Sequence, residues 1–116
     1  MNLTLDKNKK YLLACSFGPD SMALFALLLE QNYDFEVAHV NYHRRDESSS
    51  EAKKLETFCI QKGIPFHYKD AFYPLKGGNF QTWARQVRYE FFAALIRSKQ
   101  LDYLLTGHQE DDVLET

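Results

Sequence analysis

The stretch YLLACSFGPDSMALFALLLE spans Tyr11–Glu30, and two apolar runs in it flank Ser16-Phe17-Gly18-Pro19-Asp20-Ser21. The first run, Lys10 to Cys15, is almost wholly apolar, which suits a parallel strand covered on both faces. The second, Ser21 to Gln31, is apolar on most sides and predicts a mostly buried helix. A strand, a short loop with small or hydroxyl residues and a helix start together form a place for an anion. Backbone N–H groups and the helix dipole point at it, and Ser16 and Ser21 add hydroxyl donors. The plainer alternative is a tight turn, with Gly18 reversing the chain and Asp20 or Ser21 capping the helix. The loop is neither a Walker loop nor a Gly-x-Gly-x-x-Gly turn. Phe17 stands where a phosphate loop would prefer glycine. A carboxylate beside a phosphate is repulsive unless a cation lies between them, so phosphate binding here would make Asp20 a Mg2+ ligand.

The rest of the chain repeats the alternation. Phe35 to Asn41 reads as a second strand, and Ser48 with Glu51 forms a capping-box pattern opening a helix to about Lys62, stopped by Gly63. Pro65 to Asp70 reads as a third strand. Asn79 is placed to cap a long helix from Phe80 to about Lys99, and Asp102 to Gly107 reads as a fourth strand. A last helix is expected from Glu110. Strand–helix units of about thirty residues predict an α/β domain, with a mainly parallel sheet and helices on both faces. Glu110 to Thr116 carries no helix stop signal, so the chain reads as part of something longer.

The totals fit one ordinary domain of 116 residues, 45% apolar and 26% charged. A net charge of −2 advertises no global nucleic-acid surface, although a local cluster or a further domain can supply one. The two cysteines, Cys15 and Cys59, form no Cys-x-x-Cys pair and read as buried thiols. No apolar stretch reaches membrane-spanning length, and MNLTLDKNKK lacks a signal-peptide core, so a cytoplasmic protein with no membrane partner is expected.

In parallel α/β sheets, ligands bind outside the carboxyl ends of the strands. Ser16–Ser21, His39 to Arg45, and Thr106-Gly107-His108 gather there. Each has a bland reading beside the functional one. His39 suits a satisfied core histidine, and Arg44 and Arg45 suit a solvated turn or a contact to RNA phosphate. Arg85 and Arg88, three apart on a helix face, suit an exposed pair lying over Trp83 or Tyr89. The acidic residues of GHQEDDVLET favour the helix dipole, while Asp112 and Glu115 would share a helix face able to hold Mg2+ or an amino group. His67 and Trp83 are assigned to packing.

SFGPDS resembles the Ser-Gly-Gly-x-Asp-Ser motif of the PP-loop ATP pyrophosphatases, with Phe17 for the first glycine. HVNYHRR, ARQVRYEFF and TGHQEDDVLET resemble, in order, segments of the tRNA(Ile)-lysidine synthetase family within that group. Tyr42-His43 replaces His-Gly, and Val113 replaces a glutamine. The resemblance implies an adenine nucleotide alpha hydrolase-like fold. Residues 1–116 would be the N-terminal part of a PP-loop catalytic domain, with later domains absent from this chain. It implies a ligase that adenylates the wobble cytidine of isoleucine tRNA with ATP and then attaches L-lysine, giving lysidine, AMP and pyrophosphate. Ser16, Phe17, Gly18, Pro19, Asp20, Ser21, His39 and Asn41 would bind the nucleotide. Asp20, Arg88, His108, Asp112 and Glu115 would be catalytic, with Mg2+ on Asp20 and Asp112. Family members are often dimers, which allows a homodimer. Two alternatives are another PP-loop enzyme, a tRNA thiolase or an amide-forming synthetase, and a non-enzymatic α/β nucleotide-binding module. Thiolases of this type usually carry paired cysteines, and a module would not need the Asp112/Glu115 pair.

Overall fold

The computed structural model describes residues 3–16, 18–74, 78–106 and 113–115. Strand β1 (Lys10–Ala14) is followed by α1 (Pro19–Glu30), β2 (Asp34–Asn41), α2 (Ser48–Lys62), β3 (Phe66–Asp70), α3 (Phe80–Lys99), β4 (Tyr103–Thr106) and β5 (Val113–Glu115). The strands form one sheet in the order β3-β2-β1-β4-β5. β1 pairs parallel with β2 and β4, and β2 pairs parallel with β3. The expected α/β sheet is therefore present.

β1 is apolar from Tyr11 to Ala14 because both of its faces are covered there. Tyr11, Leu13 and Cys15 pack with Phe25 and Leu28 of α1 and Leu55 and Cys59 of α2. Leu12 faces the other way, onto Phe92 and Ile96 of α3 with Ala38 and Leu104. The period-two alternation of a strand thus feeds two cores from five residues. The helices end as their sequences direct. Gly63 takes a left-handed conformation (φ 71°) at the end of α2. The Asn79 side chain accepts from the N–H groups of Gln81 (2.8 Å) and Thr82 (3.3 Å) at the start of α3.

Several local expectations are corrected. The capping box of α2 does not form. Ser48 Oγ instead accepts from the Arg45 N–H, and Glu51 binds the Arg45 guanidinium at 2.6 Å, since that charged donor offers the stronger bond. Neither Asp20 nor Ser21 caps α1, whose N-cap is Gly18 with Pro19 at the first helical position. His67 does more than pack, because its Nε2 meets Glu36 Oε1 at 2.7 Å on the neighbouring strand. The helix expected from Glu110 does not include residues 113–115, the part of that span that is described. Val113–Glu115 lies antiparallel to β4, with Glu115 opposite Tyr103 and Val113 opposite Leu105. An uncovered strand edge attracts a short apolar segment, whose backbone groups it satisfies.

Replacing Leu12 by alanine is expected to lower the unfolding free energy by about 2–5 kcal/mol, since it empties a fully buried site between sheet and α3. Asn79→Ala should cost about 1 kcal/mol. Urea unfolding measures both, and an equal effect of the two substitutions would refute this ranking.

Candidate functional site

The strand order reverses direction between β1 and β4, because α1 and α2 lead the chain one way across the sheet and α3 carries it back past β1. A crevice opens at such a switch point, outside the strand carboxyl ends. Here it is a cavity of about 140 Å³. Ala14, Cys15 and Ser16 line it from the end of β1, Ser21 from α1, Thr106 from β4, and Arg88 with Tyr42 from the far wall.

The opening loop supplies the small polar side. Ser16 and Ser21 bring their hydroxyls to 3.2 Å of each other across the turn. Gly18 lies close under them, and a Cβ added there would meet Ser16 Oγ at 3.4 Å. Pro19 has no N–H to leave unsatisfied, and the following amides of the first turn face outward from the helix. Asp20 sits in that first turn and is exposed. Ser21 is buried, so its hydroxyl faces the turn rather than bulk water.

Arg88 is half-buried, whereas Arg85 is exposed, so the two do not form the matched pair their spacing suggests. Tyr42 explains the difference. Its hydroxyl donates to the Ala84 carbonyl at 3.2 Å and accepts from Arg88 Nη1 at 3.4 Å. Burial raises the Tyr42 phenol above its usual range, and Arg88 acts in the opposite direction. The phenol therefore stays protonated and holds a cation over the cavity. Sequence reasoning assigned Tyr42 no role. The signal was its place two residues before Arg44 at the end of a strand, but its partner lies 46 residues away.

A second cavity, about 200 Å³, adjoins Ser16 and is lined by His39, Asn41, Tyr42, Arg44 and Glu51 among others. His39 is buried, and its Nδ1 lies 2.7 Å from the Cys15 carbonyl. A carbonyl only accepts, so Nδ1 carries the proton and Nε2 is left as an acceptor. Burial lowers the His39 pKa below its ordinary 6.5, against the raising effect of the Cys15 carbonyl. Asn41 is also buried, but its side chain is engaged within the protein. It donates to the Tyr68 hydroxyl at 2.9 Å and accepts from the His43 N–H at 2.9 Å. His43 adopts φ 55° and brings Nε2 to 2.8 Å from Asp70, which also accepts from Tyr68 at 2.5 Å.

A strand–loop–helix turn faces an arginine across the switch point, and comparison joins the chain to a family. The PP-loop domain matches residues 2–116. This chain belongs to the PP-loop domain family. It is 40% identical over 115 residues to a tRNA(Ile)-lysidine synthase of Chlamydia trachomatis, covering 97% of this chain and 36% of that protein. It is 38% identical to the enzyme of the same name from Mycoplasmopsis pulmonis, over 90% of this chain and 36% of that one. The chain thus spans about a third of the length of these relatives. In fold it is similar to a U34-tRNA thiolase from Methanococcus maripaludis, with TM-score 0.71 and 22% identity over 90% of this chain and 40% of that one.

The PP-loop domain brings together Ser16, Ser21 and Arg88 around one cavity, with His39 and Asn41 around its neighbour, while Gly18, Pro19 and Asp20 line neither. Phe17, His108 and Asp112 lie outside the described residues. Glu115 is separated from this edge, since it pairs with Tyr103 at the opposite end of β4. A shared helix face for Asp112 and Glu115 is therefore not what this structure has at 113–115. Among the described residues, no group of three or more His, Cys, Asp or Glu is placed to hold a metal. Both thiols are buried, and burial pushes Cys59 up to about 12. No helix among the described residues is long and apolar enough to cross a membrane.

The lowered His39 pKa has a definite sign. Below about pH 6.5 the unfolded chain takes up a proton that the folded chain refuses, so stability falls as pH falls through that range. The unfolding free energy should therefore decrease from about pH 7.5 to about pH 5.5. His39→Asn keeps a donor for the Cys15 carbonyl and should shrink the decrease. An unchanged pH dependence in the variant would show that another group causes it.

Proposed function

We propose that this PP-loop domain binds ATP across the switch-point cavity, and that the whole protein uses it to make lysidine in isoleucine tRNA. The observation that carries the reading is the opposition of the Ser16–Ser21 turn and Arg88 across one cavity. The identity to tRNA(Ile)-lysidine synthases supports the choice of substrates. The wobble cytidine oxygen attacks the α-phosphate of ATP, and pyrophosphate leaves. The amino group of free L-lysine then displaces AMP.

In this reading the first turn of α1 and the serine hydroxyls hold phosphate oxygens in line for displacement. Arg88 offers a fixed, permanently charged fork to the same phosphates, and Tyr42 aims it. Charge that develops on the leaving group then meets donors already in place. Asp20 and the serine hydroxyls are oxygen donors of the kind Mg2+ prefers, and Mg2+ would neutralise charge between the phosphates. Asp20, exposed in the first turn of α1, would be its ligand in this reading. His39 Nε2 and the strand end at Val40-Asn41 would lie beside the nucleoside. The resemblance assigns His108, Asp112 and Glu115 to the lysine side or to metal. A homodimer and a cytoplasmic location belong to the same reading.

Pyrophosphate release by the full-length protein tests it. Release should require both tRNA and lysine, while ATP binding without turnover would favour a non-enzymatic module. Arg88→Ala should weaken ATP binding or turnover by roughly 10- to 100-fold, as expected for a lost charge-assisted bond. Full activity in that variant would mean the pocket is misplaced. Asp20→Ala with undiminished tRNA-dependent release would remove the metal role.

A further inference from the structure

Phe72 is the most exposed aromatic side chain among the described residues, at 70%. An exposed phenylalanine on a solvated loop gains nothing for folding, yet this one is held in place. Its ring stacks on His43, with centroids 4.4 Å apart and planes within 9°. His43 is itself fixed from two directions. Its N–H donates to Asn41 Oδ1, and its Nε2 meets Asp70 Oδ1 at 2.8 Å. One face of Phe72 is thus backed by a rigid ring, and the other is open to solvent.

The next residue along β2's loop repeats the arrangement. The Arg44 guanidinium sits 3.8 Å from the centre of the Phe80 ring. Arg44 is exposed and has no carboxylate partner among the described residues, unlike Arg45, which Glu51 neutralises. Phe80 in turn packs against Tyr73, Trp83 and Tyr42. Successive residues 43 and 44, in the loop after β2, therefore stack on Phe72 of the loop after β3 and on Phe80 at the start of α3. Tyr42 ties this shelf to the nucleotide cavity, whose wall it forms. The Asp70 carboxylate beneath the stack is engaged by Tyr68 and His43.

An open aromatic face beside an unneutralised arginine is the chemistry that grips unpaired nucleotides. A base stacks on the ring, and the cation takes the adjoining phosphate. We propose that the Phe72–His43 stack and Arg44 form a shelf for an unpaired nucleotide of the RNA substrate, next to the site of adenylation. This rests on the tRNA reading above and deepens it. The apolar ring provides the affinity and the arginine the salt dependence. Neither reads a particular base, so the shelf would position the strand and leave base choice to other contacts.

The test uses the full-length protein, with isoleucine tRNA and ATP titrated separately. Phe72→Ala should weaken tRNA binding about tenfold, in the range of one lost base–aromatic stack, while ATP affinity stays unchanged. Phe72→Trp should keep or improve tRNA affinity, and Phe72→Leu, apolar but unable to stack, should behave like alanine. Arg44→Gln should lower the slope of log affinity against log salt by about one unit. Wild-type tRNA affinity in Phe72→Ala would overturn the shelf while leaving the tRNA reading intact. No tRNA binding by the wild-type protein would overturn both. Dissociation of a dimer by Phe72→Ala, with tRNA affinity preserved, would show Phe72 to be a protein contact and overturn the shelf.

Discussion

Everything at the functional edge depends on the burial of β1 between two parallel neighbours. Leu12 and Leu13 are fully buried on opposite faces, so the strand can neither slip by one residue nor leave the centre of the sheet. Parallel pairing with β2 and β4 then forces three carboxyl ends to one side. Ser16, Asn41 and Thr106 arrive at a common edge as a consequence. The return of the chain through α3 opens the crevice between them and lays Arg88 over it. The site is thus built from strand ends held by the core and from one helix laid across them.

The polar groups at this edge divide by whether the protein already uses them. Asn41, Asp70 and His43 are bound to one another and to Tyr68, and so stiffen the end of β2. Ser16 and Ser21 bond to each other at 3.2 Å and Arg88 to Tyr42 at 3.4 Å, which leaves further guanidinium N–H groups for a ligand. This separates residues that shape the edge from residues that would act there. It moves Asn41 towards the first group, and it adds Tyr42, which no motif singled out.

Much of the fold was legible in the residues because each signal is local. An apolar run long enough for a strand, the glycine after α2 and the asparagine before α3 act through neighbours within four positions. The failures share a different cause. Ser48 and Glu51 spell a capping box, yet Arg45 takes both side chains, Ser48 through its backbone N–H and Glu51 through its guanidinium. Asp20 and Ser21 are good caps, yet the turn places Gly18 at the N-cap. Residues 113–115 follow the free edge of β4 instead of their helical pattern. In each case a competing group, which the motif read alone does not show, decided the outcome.

The sequence by itself determined the alternation of strands and helices, the parallel class of the sheet and the position of the short polar loop after β1. Hydrophobic periodicity and cap chemistry are properties of adjacent residues, and they are readable wherever no distant competitor intervenes. Only the tertiary structure decided that Tyr42 orients Arg88 and that His43 carries Phe72. Those facts join residues from 29 to 46 positions apart. They depend on how α3 and the loops after β2 and β3 settle on the sheet, which no single segment encodes.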